Sequence, residues 1–210
     1  MNSIAQRRQD ERERRRSEIV DAADALAREH RWNDVTVDGV AKRARLSRAL
    51  VYLYFRDKTD LHAALWERAR DELVRRFGAA VAEAGVGSGI EAIGRAYVRF
   101  AEEMPHYFEA LGRFEARTPE PAEEPAATAQ CPDDLHGLIV DALRAAQQAG
   151  TVRADCGDLD LTAVALWAFT HGLIQISSTK RSQLEALGLQ HEAILEQAFI
   201  LLGRTIGPPG

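Results

Sequence analysis

"LSRALVYLYFRDK", residues 46–58, places three aromatic side chains, Tyr52, Tyr54 and Phe55, within four positions, with Arg48 before them and Arg56 and Lys58 after. A segment of this size fits a buried strand, a plain core helix, or a helix whose outer face meets something negative. Set on a helix at about 100° per residue, Val51 and Phe55 fall together on one side. Arg48, Ala49, Tyr52 and Leu53 spread over the opposite arc, with Leu50 and Tyr54 at its edge. Buried and exposed positions do not alternate, which removes the strand. A helix this short does not hold by itself. Val51 and Phe55 must therefore pack on preceding helices, with Ile19, Ala23, Val40 and Ala44 as the expected partners.

Those helices are legible upstream. Ile19, Ala22, Ala23 and Leu26 keep a 3.6-residue spacing and predict a helix over 14–29. "WNDVT", 32–36, breaks it; Thr36 reads as the N-cap of a short helix over 37–44, and Ser47 as the N-cap of the next. Arg45 and Leu46 form the connection. Two short helices joined by a tight turn, the second with an outward polar-aromatic face, make a helix-turn-helix whose second helix can enter a major groove. Basic flanks supply the phosphate contacts that orient it.

The charge distribution agrees. The chain of 210 residues has a net charge of −5, but residues 1–58 carry 14 basic and 10 acidic side chains, net +4, and the remainder carries 13 and 22, net −9. A basic module on an acidic body suits a regulator with a DNA-binding end. The 46% hydrophobic and 28% charged content is that of an ordinary globular protein. No uninterrupted apolar window of membrane length and no secretory h-region is present. A cytoplasmic protein without a membrane partner is expected. Cys131 and Cys156 have no metal or C-x-x-C spacing and are expected as free thiols.

Beyond Lys58, helical periods predict a long helix from 57–59 to about 84, then helices near 90–103, 106–116, 135–149, 159–178 and 191–206. "GVGSG", 85–89, is a flexible break, and the proline-rich, acidic 117–134 reads as a mobile loop. The expected architecture is all-α. Residues 1–58 form an N-terminal arm and a three-helix DNA-binding domain, and 59–210 a helical body. The run "RRQDERERRR", 7–16, fits either a solvated helix extension with i, i+4 charge pairs or a flexible arm along DNA.

The segment "TVDGVAKRARLSRALVYLYFRDKTDLHAAL", 36–65, resembles the signature of the TetR family of bacterial transcriptional regulators through Ala41, Ser47, Tyr52, Tyr54, Phe55, Lys58 and Leu61. The close resemblance covers about residues 15–65. It implies homodimeric binding to a palindromic double-stranded DNA operator, and a C-terminal domain that binds a small-molecule effector and mediates dimerisation. It places Arg48, Ala49, Leu50 and Tyr52 against bases or adjacent backbone, and Tyr54, Lys58 and Thr36 on phosphates. In that setting Arg48 suits guanine, and Leu50 or Leu53 a thymine methyl. The family usually has glycine at the turn, where this chain has Arg45. Either the site is left-handed, at a cost on the order of 1 kcal/mol that a phosphate contact partly returns, or the turn is built differently.

In the body, helix 191–206 is apolar over most of its circumference, with Ile194, Ala198, Leu201 and Leu202 among its members. Helix 159–178 offers Ala163, Ala165, Ala168 and Gly172, small residues that permit close approach. A four-helix dimer interface is expected, using Ala168, Gly172, Ile194, Ala198, Leu201 and Leu202, the alternative being that the two helices pack only within one chain. Large side chains abound in the central helices: Trp66, Tyr97, Phe100, Met104, Tyr107, Phe108, Leu111, Phe114, Trp167 and Phe169. Most belong to the core. The resemblance draws an effector cavity from Trp66, Tyr97, Phe100, Met104, Phe108 and Trp167, with His171 as its polar candidate or simply a satisfied core histidine. The effector expected is mainly apolar. No nucleophile motif, H-E-x-x-H, phosphate loop or clustered ligand set is present, so no enzyme, metal or cofactor is expected. The rival readings are a helical small-molecule carrier and a non-specific nucleoid protein, the latter at odds with an acidic body.

Overall fold

The computed structural model describes residues 4–113 and 133–208, and these form ten α-helices with no strand among them. In chain order they are α1 Ile4–Glu29, α2 Val37–Ala44, α3 Arg48–Tyr52, α4 Lys58–Glu83, α5 Gly89–Glu103, α6 Pro105–Arg113, α7 Asp133–Gln148, α8 Leu159–Thr179, α9 Arg181–Ala186 and α10 His191–Ile206. The chain packs into two compact units: Met1–Asp71 with Met104–Ala116, and Glu72–Glu103 with Arg117–Gly210. They divide within α4, some way past the sequence-based division at Lys58, and α6 belongs with the first unit.

In the first unit α1 begins at Ile4, ten residues before the helix expected over 14–29. The charged run is an ordered helix, laced by Arg14 to Glu11 (2.6 Å) and Glu18 (3.0 Å), and by Arg15 to Glu18 (2.7 Å). The helix-turn-helix is fixed by its caps. The Gly39 N–H donates to Thr36 Oγ1 at 3.0 Å, and the Leu50 N–H to Ser47 Oγ at 3.2 Å. Between them Arg45 sits at φ 57°, ψ 40°, so the left-handed alternative is the one adopted. Its N–H bonds the Lys42 carbonyl, and the Leu46 N–H the Ala41 carbonyl, which satisfies the end of α2 in the manner of a Schellman motif. Helix α3 stops at Tyr52, but Tyr54 and Phe55 still donate to the Val51 carbonyl.

Ile19, Ala23, Val40, Val51 and Phe55 are fully buried, as the helical wheel requires, and the Arg16 guanidinium covers the Phe55 ring at 5.2 Å. Helix α6 packs on α1 and on the 3₁₀ turn Trp32–Asp34. There Asp24 lies 3.1 Å from His106 Nε2 and accepts from Arg28 at 2.8 Å. Burial pushes the Asp24 carboxyl up, but His106 and Arg28 outweigh it and hold the group below the usual carboxylate range.

The second unit surrounds Phe77, Phe100, Leu143, Ala146, Ala163 and Ile174. Asp158 caps α8 by accepting from the Leu161 N–H. Helix α9, absent from the sequence reading, buries nothing and has no side-chain cap, so it has no apolar period to read. The expected loop and Phe114 and Cys131 lie outside the described residues, except that Asp133 and Asp134 open α7. Cys156 is a free thiol. Helix α8 leaves Leu161, Val164, Trp167, Phe169 and Ile176 exposed, and α10 leaves Ile200 and Leu201 exposed, so these helices are only partly covered within one chain. By length and composition α8 is also the one described helix able to cross a membrane.

Candidate nucleic-acid interface and ligand cavity

The outer face of α3 is assembled from the bottom up by two caps and one buried pair. Val51 and Phe55 anchor the segment, so Arg48, Ala49, Tyr52 and Leu53 stand in solvent, with Leu50 and Tyr54 half-buried at the edge. Arg48 is not loose: its guanidinium lies 3.3 Å from Asp38, donates to the Tyr52 hydroxyl at 3.3 Å, and rests 5.5 Å from the Tyr52 ring centre. Arg45 is exposed at the turn, and exposed Thr36 is occupied with its cap.

Lys58, the first residue of α4, is more committed than the sequence suggests. Its Nζ donates to the Asn33 carbonyl at 3.0 Å and stands 5.1 Å over the Trp32 ring, which stacks on His62 at 4.7 Å. Burial lowers the ammonium pKa, against a smaller raising effect of Asp34.

The second unit contains a cavity of about 300 Å³, at the lower end of ligand-pocket sizes. Phe77 of α4, Tyr97 of α5, Ile139 of α7, Trp167 of α8, and Phe199 and Leu202 of α10 form its apolar walls, and the 87–88 and 151–152 connections its rim. Gly94 lets α10 approach: a Cβ there would come 2.8 Å from the Phe199 ring. Arg95 covers that ring at 4.9 Å and ties Glu91 (2.8 Å) to Glu196 (2.7 Å), joining α5 to α10.

Several polar groups of the cavity are already paired. Tyr97 Oη and His171 Nδ1 are 2.7 Å apart, Thr170 donates to the Leu166 carbonyl, and Thr151 donates to the Gly87 carbonyl. Burial pushes the Tyr97 hydroxyl up to about 12, with a hydrogen bond from Trp167 pulling the other way, and burial lowers the His171 pKa. Glu91 is the sole charged side chain in the lining, and Arg95 holds it.

Of the expected effector residues, Tyr97 and Trp167 line this cavity, and His171 stands behind Tyr97 as its hydrogen-bond partner. Phe100 is fully buried against Tyr97, with ring centres 6.4 Å apart, and Trp66, Met104 and Phe108 belong to the first unit. Phe77, Ile139 and Phe199 also line it and carry no distinguishing sequence signal, and the "GVGSG" stretch, expected only as a flexible break, supplies part of the rim. Of the expected dimer residues, Ala168 and Leu201 are exposed, Gly172, Ile194 and Leu202 half-buried, and Ala198 buried within the chain. Among the described residues no group of three or more His, Cys, Asp or Glu is placed to hold a metal.

Two family comparisons match. Residues 19–65 fit the bacterial regulatory proteins of the tetR family, and residues 90–199 the tetracyclin repressor-like C-terminal domain. No curated protein matches the chain. Among solved structures, a protein of unknown function from Rhodococcus sp. RHA1 is similar at 20% identity, covering 92% of this chain and 95% of its own, with a TM-score of 0.72. A putative tetR family transcription regulator from Shewanella sp. PV-4 is similar at 15% identity, 93% and 99% coverage and a TM-score of 0.62. The complex of SmeT with triclosan is similar at 20% identity, 89% and 90% coverage and a TM-score of 0.59.

Proposed function

Because the chain belongs to the TetR family of transcription regulators, we propose that it is a homodimeric repressor whose two α3 helices read a palindromic operator and whose second unit releases the DNA on binding a small, uncharged, apolar effector. In this reading residues 1–58 bind DNA in the bacterial cytoplasm, and 59–210 bind effector and partner. The observation that carries it is the clamped α3, with Arg48, Ala49, Tyr52 and Leu53 turned outward from a fully buried Val51–Phe55 anchor.

Dimerisation is supported by the exposed apolar residues of α8 and α10 and by the small Ala168 and Gly172 of α8. Two α3 helices then meet major-groove faces about 34–36 Å apart, or a multiple of that. An uncharged effector is supported by the lining itself. A buried ion needs a partner, and the cavity offers no cation and one carboxylate that Arg95 already holds.

Release requires that the effector bind the non-DNA-binding geometry more tightly than the other. Helix α4 is the proposed lever. It carries Lys58 in its first turn and Phe77, in the cavity wall, about five turns later. The test is selection of bound fragments from a random duplex library. A palindrome recovered by a protein that sediments as a dimer supports the reading, and fragments without a shared sequence overturn it.

A further inference from the structure

The arginines of the charged run divide into two sets. Arg14 and Arg15 are bonded to Glu11 and Glu18, and Arg16 lies 3.8 Å from Glu67 and over Phe55. Arg7, Arg8 and Arg12 have no acidic partner among the described residues. Arg8 and Arg12 are one helical turn apart and, with Leu53, Tyr54 and Glu11, line a shallow groove at the end of α3. Glu11 does not neutralise them, because Arg14 (2.6 Å) and Arg15 (3.4 Å) hold its carboxylate. Like charges at i, i+4 repel along a helix. An exposed pair of this kind, left uncompensated in a run rich in carboxylates, is made for an outside anion.

We infer that Arg8 and Arg12 form a phosphate-binding site for the DNA backbone that flanks the groove entered by α3. The inference rests on the DNA-binding reading above and adds a contact outside the helix-turn-helix. The planar guanidinium suits phosphate oxygens through paired hydrogen bonds. The anions next to the end of a helix seated in the major groove are backbone phosphates. Because α1 is helical from Ile4, the backbone that carries the two side chains is ordered before binding, and the ordering cost of complex formation falls on the side chains alone. The site reads no sequence; it grips.

The test uses the full chain, with duplexes carrying the selected operator or a scrambled sequence, titrated by fluorescence anisotropy at several salt concentrations. Arg8→Ala/Arg12→Ala is compared with Arg75→Ala/Arg144→Ala, which removes the same charge from exposed arginines elsewhere. Alanine favours the helix, and circular dichroism checks that α1 persists. The expected result is an equal loss of affinity for both duplexes, with a salt slope reduced by about two per subunit, and no slope change in the control. Arg8→Lys/Arg12→Lys restores most of the slope. An unchanged slope in the alanine variant overturns this site while leaving DNA binding intact. A wild-type chain that binds neither duplex overturns the DNA-binding reading and this site with it.

Discussion

Arg48 of α3 lies 3.3 Å from the Asp38 carboxylate of α2, so the arginine proposed to read a base is tethered within the helix-turn-helix itself. Both side chains are more than half exposed, and a surface pair of this kind contributes little. A guanine edge with two acceptors displaces it. Asp38→Asn is therefore expected to strengthen operator binding by a few-fold at most without moving Tm. Arg48→Ala should relax choice at one position per half-site by roughly ten- to a hundredfold. Titration of matched and single-base-substituted operators checks both; unchanged discrimination in Arg48→Ala removes it from base readout.

Lys58 is expected to fail in two ways at once. Its bond to the Asn33 carbonyl and its seat over Trp32 are structural, so Lys58→Ala should cost on the order of 1 kcal/mol of stability. If it also reaches phosphate, the variant weakens all sequences alike and lowers the salt slope by about one per subunit. Thermal melts and salt titrations separate the two: a lower Tm with an unchanged slope makes Lys58 purely structural.

The cavity should distinguish N-phenyl-1-naphthylamine from 8-anilino-1-naphthalenesulfonate, which share a framework and differ by one sulfonate. The neutral probe is expected to bind at least about tenfold more tightly, since the anion finds no cation in the lining. Gly94→Ala pushes the Phe199 ring toward the cavity and should reduce uptake of the neutral probe. The helix propensity gained, about 1 kcal/mol, offsets much of the packing cost. Fluorescence titration reads both effects, and equal affinities for the two probes refute the neutral-effector assignment.

Stability should fall at both ends of the pH scale through the Tyr97–His171 pair. Tyr97 is raised from 10.0 to about 12, so the unfolded chain loses this proton first; its contribution is full below pH 10 and lost between pH 10 and about 12. His171 is lowered from 6.5, so the unfolded chain gains a proton first and stability declines as pH falls below 6.5. Melting temperatures across pH should show a weaker alkaline loss in Tyr97→Phe and a weaker acid loss in His171→Gln. If both variants track the wild type, the pair is energetically silent.

What could be read from the chain alone follows the range of the physics. The caps Thr36 and Ser47, the bounds of α2 and α10, and the inward Val51–Phe55 pair depend on neighbours within a turn or two, and the structure places each where the spacing predicts. The charged run 7–16 of α1 fits two readings in sequence because ion pairs such as Arg14 to Glu11 and Glu18, not apolar spacing, lace it. The cavity draws on five helices and two connections, and aromatic size alone does not tell a wall from a core. Phe100 is core and Phe199 is wall, and only the close pass of α10 over Gly94 separates them.

The first unit is discontinuous, and this bears on how the chain is made. Its buried set includes Tyr107, Phe108 and Ala110 of α6, and the Asp24 carboxylate awaits His106 from the same helix. A ribosome that has delivered α1 to α3 has not delivered the side chains that close their core. The nascent N-terminal module stays unfinished until α5 has been passed and α6 emerges, although domains emerging first usually fold first. For the same reason a fragment cut at Asp71, where the first contiguous stretch of this unit ends, would leave Asp24 without His106. Such a fragment should be aggregation-prone, whereas a chain carrying α6 through Arg113 restores the missing wall.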